Sequence, residues 1–144
     1  MPSPRANLTA AASACLQRIL IASGYATNAG QYVTLEPGQI DASEAAVIAV
    51  FVERQQRATD AAVQRTHRLT DLAVVVKVPA KLGQAQTALD LVLDDVEKAM
   101  ADQQFRYPAG IQFPQFASMQ PVPADPGMGW IGAVIRYTTH IPIQ

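Results

Sequence analysis

The residue pattern predicts an α+β fold: a mixed, mainly antiparallel sheet of about four to five strands, covered by two helices and extended by a long protruding hairpin. Three stretches carry that expectation. In RTHRLTDLAVVVKVP, Arg65 to Pro79, polar–apolar alternation gives way to a β-branched run, the pattern of a strand entering a sheet from an exposed end. In ALDLVLDDVEKAM the apolar residues recur at spacings of three and four, the period of a helix face. WIGAVIRYTTHIPI alternates again and reads as a long final strand.

Taken in order, Ser3 and Pro4 form a helix start, serine as N-cap and proline in the first turn. Leu8, Ala12, Cys15, Leu16, Ile19 and Leu20 then make one apolar stripe, and Gly24 is placed to close the helix in a left-handed conformation. Tyr32, Val33 and Leu35 form a short strand, broken by Pro37-Gly38. A polar loop from Gln39 to Glu44 leads into a buried strand at Ala46 to Glu53. This strand and Arg65–Pro79 are the arms of a long antiparallel hairpin whose tip projects beyond the core, because Glu53 to Arg68 offers few apolar residues to bury. In the second arm Thr66, Arg68, Thr70, Leu72, Val74, Val76 and Val78 share a face, buried from Leu72 onward, and Pro79 ends the ladder.

The second helix presents Leu82, Ala85, Leu89, Val92, Val96 and Met100 on one face and Asp94, Asp95 and Lys98 on the other. Prolines at 108, 114, 121, 123 and 126 forbid a helix there. They leave a loop, an edge strand near Gln115 to Val122 and a turn through ADPGMG. In the last strand Ile131, Ala133, Ile135, Tyr137, Thr139 and Ile141 face one way, and Trp130, Val134, Arg136 and His140 the other. With 144 residues, 49% of them hydrophobic, residues 1–144 make a single domain with its own core.

Composition and motifs exclude several function classes. A net charge of -1 leaves no global basic field for nucleic acid. MPSPRANL lacks the layout of a signal peptide, and no apolar run approaches the ~20 residues of a membrane span. The single Cys15 cannot form an internal disulfide, and its place in a helix stripe marks it as a small core residue, which fits a reducing cytoplasm. No phosphate-binding glycine loop, dinucleotide fingerprint, HExxH or CxxC is present, so no cofactor is expected. His67 and Asp71 are too far apart along a strand to hydrogen-bond directly, and a polar strand face accounts for them. Asp90, Asp94, Asp95 and Glu97 read as a solvated helix face rather than a cation site, which would need ligands from a second element. Half of the arginines, Arg54, Arg57, Arg65 and Arg68, fall in the arms of one hairpin with Glu53 and Asp60 as the acidic offset. They are either a solubilising polar hairpin or a surface for a partner chain or a phosphate backbone.

Several of these pieces together resemble the tail terminator proteins of long-tailed bacteriophages. They are the helix ending before TNAGQYV, AAVIAVFVE ahead of a polar hairpin, RTHRLTDLAVVVKV, the helix ALDLVLDDVEKAM and the final GAVIRYTTHI strand. The proline-rich stretch from Pro108 to Pro126 departs from the family pattern. The resemblance implies a non-enzymatic virion protein of the tail–neck region, made in the host cytoplasm. It implies a self-assembled ring, a hexamer, that caps the tail tube and stops its polymerisation. Partners would be the tail tube protein and the head–tail connector, with DNA only as passing cargo and no membrane. A head-completion or adaptor protein of the neck, or a small ligand-binding or enzymatic α+β domain, is the alternative reading, since fold does not determine function.

Overall fold

The structure is a computed structural model and describes residues 3–35, 46–80, 84–101, 104–122 and 129–143. The expected break at Pro37-Gly38, the loop to Glu44, Leu82 and most of the ADPGMG turn lie outside these residues. Helix α1 spans Pro4–Leu16, followed by strands β1 (Val33–Thr34), β2 (Val47–Arg57) and β3 (His67–Pro79), helix α2 (Ala85–Met100), and strands β4 (Gln115–Pro121) and β5 (Trp130–Pro142). The strands form one mixed sheet in the order β1-β2-β3-β5-β4. β1 runs parallel to β2, and every other pairing is antiparallel.

At the start of α1 the Ser3 hydroxyl accepts the Ala6 N–H at 3.1 Å, satisfying one of the donors that a helix start leaves free. The helix is shorter than its apolar stripe, ending at Leu16. Gly24, at φ +95°, instead closes the 3-10 turn Ile21–Ser23. Arg18 then reaches the far end of α2, donating to the Ala99 carbonyl at 2.9 Å, where a cation also complements the helix dipole.

Period two and period 3.6 together account for the core. Ile48 and Val50 of β2, Leu72, Val74, Val76 and Val78 of β3, and Ala133, Ile135, Tyr137 and Ile141 of β5 face the stripes of both helices. From α1 these meet Leu8, Ala12, Cys15 and Leu16, and from α2 Leu89, Val92, Val96 and Met100, all buried. Burial along β3 begins one step earlier than its apolar run, because Thr70 is fully buried beneath the Gln55 amide, which donates to its hydroxyl at 3.0 Å.

Strand limits differ from the expected ones: β1 keeps only Val33–Thr34 of the stretch expected at Tyr32 to Leu35, because Tyr32 belongs to the 3-10 turn Ala29–Tyr32, and both hairpin strands shift as well. β2 runs on through Arg54–Arg57, past the expected end at Glu53, since the ladder needs only backbone groups opposite backbone groups, and Asp71 to Arg68 supply them. A bulge between Val52 and Arg54 inserts Glu53 as an extra residue and brings Arg54 opposite Asp71. β3 begins at His67 rather than Arg65, because Asp60 caps a 3-10 turn at Ala61–Val63 that occupies the hairpin tip. β5 keeps pace with β3 along its whole length, pairing Pro142 with His67, and the Ile143 N–H donates to the Thr66 carbonyl at 2.9 Å. The β3 arm of the hairpin is therefore flanked by β5 rather than free-standing, and Ala58 at the tip is 1% exposed.

Candidate subunit interface

The opposite face of the sheet has no helix over it among the described residues. Val47 and Phe51 of β2, Val75 and Lys77 of β3, and Trp130, Val134 and Arg136 of β5 lie half-buried there. Lys77 sits 4.2 Å from the Trp130 ring centroid, a cation–π contact at the apolar end of this face. Towards the hairpin the face turns polar: Arg54 pairs with Asp71 at 3.1 Å and Arg136 with Glu53 at 2.9 Å. Among the described residues both edges of the sheet are also open. β2 pairs with the two-residue β1 only at Ile48 and Ala49, and every residue of β4 is exposed.

The four hairpin arginines do not form one patch. Arg54 belongs to the uncovered face and Arg65 to the tip. Arg57 and Arg68 stand directly opposite one another on the helix side. Like charges facing across a ladder repel. A third arginine joins them, one that sequence separation hid. Arg5, in the first turn of α1, donates to the Gln55 side-chain oxygen at 3.0 Å, and Arg5 and Arg68 line one cleft of about 200 Å³ with Gln55 and Ile141. Gln55 is itself held by the buried Thr70, so Arg5 is oriented through a two-step relay. Among the described residues no carboxylate lies within ion-pair distance of Arg5, Arg57, Arg65 or Arg68.

The acidic cluster on α2 needs correcting. Asp90, Asp94 and Glu97 are exposed as expected, but Asp95 is 5% exposed and does not belong to a solvated face. Its carboxylate accepts the Ala26 N–H at 3.1 Å, the Thr27 N–H at 2.8 Å and the Thr27 hydroxyl at 2.7 Å. Sequence contained the clue: Asp95 is three residues from Val92 and four from Ala99, on the edge of the apolar stripe. The rest of the TNAG turn is equally structural. Asn28 accepts the Ile21 N–H through its side-chain oxygen at 2.8 Å, Ala29 is buried, and Gly30 lies against the carbonyls that end α1.

The remaining chemical candidates fall as follows. Cys15 is fully buried, its sulfur 3.9 Å from the Tyr107 hydroxyl. Burial, with Cys15 beside it, pushes the Tyr107 phenol well above its ordinary range. His67 and His140, 73 positions apart, come together with Asp60, Gln112 and Gln115 around a cleft of about 410 Å³. The Nδ1 of His67 is 2.8 Å from the Thr66 hydroxyl, and the buried Nε2 of His140 has no hydrogen-bond partner among the described residues. Among the described residues no serine, cysteine or lysine lines that cleft to act as a nucleophile. Among the described residues no three His, Cys, Asp or Glu side chains converge as metal ligands, and no helix is long and apolar enough to cross a membrane. Comparison with protein families and with curated proteins finds no match to this chain.

Proposed function

We propose that the protein is a ring-forming virion structural subunit, a tail terminator that caps the tail tube and offers its other side to the head connector. The observation that carries this reading is the cationic cluster of Arg5, Arg57 and Arg68, which has no carboxylate partner among the described residues. A lone chain gains nothing from facing two arginines across a ladder; a neighbouring subunit that brings carboxylates to them turns repulsion into charge-assisted hydrogen bonds. A sheet face and two sheet edges that no described residue covers support the same reading, since they are surfaces that assembly can cover.

The test replaces Arg54, Arg57, Arg65 and Arg68 together by glutamate. Each is exposed, and of the four Arg54 alone has a carboxylate partner among the described residues, Asp71, so the fold is expected to survive with a circular dichroism melt lowered by that one pair. Light scattering across a concentration series, with and without purified tail tubes, should show rings for the wild type and none for the variant. Complementation should yield no normal-length, head-joined tails. A folded quadruple variant that still assembles such tails overturns the proposal, and capture on head connectors without any effect on tubes points to another neck component.

A further inference from the structure

The cationic cluster has a counterpart on the same chain. Between α2 and the edge strand β4 runs an apolar groove of about 240 Å³ lined by Leu93, Ile135, Phe116 and Met119, with Asp90, Asp94 and Glu97 along its α2 side. Phe116 and Met119 are 53% and 45% exposed, large apolar side chains on a strand that has no outer neighbour among the described residues. Phe116 is held edge-on against Tyr137, with ring centroids 6.2 Å apart, so the groove has a set shape. Aromatic side chains with methionine, ringed by charge, are the composition of a protein–protein contact centre.

We infer that this groove receives the Arg5–Arg57–Arg68 face of a second copy of the chain. The inference rests on the ring reading above and names the surface that the hairpin meets. Charge complementarity selects the occupant: three arginines without carboxylate partners on one side and three exposed carboxylates on the other. Their placement selects the geometry. The arginines belong to α1, β2 and β3 at the hairpin end of the sheet, whereas the groove lies beyond β5, between β4 and α2. Two different patches form a head-to-tail contact, which passes from copy to copy and closes into a ring when the rotation per subunit completes a circle. The aliphatic stems of the arginines cover Phe116 and Met119 while their guanidinium groups reach Asp90, Asp94 and Glu97.

Charge exchange tests this. One variant carries Arg57→Glu and Arg68→Glu, a second carries Asp94→Arg and Glu97→Arg, and each is first checked for a wild-type circular dichroism spectrum. Light scattering of the full chain, alone and on tail tubes, should show each variant weakened in self-association by at least about tenfold, and an equimolar mixture of the two should restore assembly, because every face then meets an opposite charge. If the groove variant assembles like the wild type while the hairpin variant does not, the hairpin meets another surface: this pairing is overturned and the ring reading stands. If both variants assemble like the wild type, or the mixture fails to rescue, the pairing is likewise overturned. A wild-type chain that never assembles, tubes included, removes the ring reading and this inference with it.

Discussion

Replacing Asp95 by alanine should be costly, and replacing its neighbour Asp94 should not. The Asp95 carboxylate is 5% exposed and accepts three hydrogen bonds from the Ala26–Thr27 turn. Hydrogen bonds to a charged group contribute about 1.5–3 kcal/mol each. Ala26 is exposed, so water can take over its N–H, and the loss falls mainly on the two bonds from the half-buried Thr27. Relief from holding a buried carboxylate offsets part of that loss, leaving a net cost of about 2–4 kcal/mol. For a domain of this size that lowers the melting temperature by about 6–12 °C. Asp95→Asn retains one acceptor oxygen but turns an amide N–H₂ towards N–H donors, and should fall between alanine and the wild type. Asp94→Ala, on the exposed side, should stay within about 0.5 kcal/mol. Thermal melts followed by circular dichroism read all three. The reasoning fails if Asp95→Ala melts within about 1 °C of the wild type, or if Asp94→Ala costs as much.

Two further outcomes follow from the packing. In Gly30→Ala the new Cβ would stand 2.7 Å from the Leu16 carbonyl oxygen and 2.8 Å from those of Gln17 and Ile19. Since the obstacles are backbone, a destabilisation of about 1–3 kcal/mol or more is expected in urea titrations. Tyr107 and Tyr137 are both held above the usual phenol value of 10.0, chiefly by burial, with Cys15 next for Tyr107 and Glu97 for Tyr137. Their folded-state pKa values are raised, so the associated stability is whole below the unfolded value and drains away as pH rises above about 10. Tyr107→Phe and Tyr137→Phe should each reduce that alkaline loss. At pH 7, Tyr137→Phe should cost nothing or stabilise slightly, because its buried hydroxyl has no hydrogen-bond partner among the described residues. Unfolding titrations from pH 7 to 11 check both statements.

What the chain determines by itself is local and periodic. Alternation in 130–142 places Ile131, Ala133, Ile135, Tyr137, Thr139 and Ile141 on one face and Trp130, Val134, Arg136 and His140 on the other; the pairing of β5 with β3 bears that out, with Ala133 to Ile141 of the first set buried and Ile131 half-buried. Spacings of three and four predicted Leu89, Val92, Val96 and Met100 as the buried stripe of α2, and Ser3-Pro4 predicted the start of α1. These signals are legible because one residue's dihedral preference and its neighbours' polarity decide them. Partners distant in the chain were another matter. Asp95 read as solvated because its donors lie about 70 positions upstream, and Arg5 had no visible tie to Arg57 and Arg68 until β2 and β3 carried them to the first turn of α1. The placing of β5 between β3 and β4, which brings His67 beside His140 and leaves β4 as a bare edge above α2, is likewise a tertiary decision. Strand order depends on which apolar faces can be covered at once by two helices, a property of the whole core that no window of sequence contains.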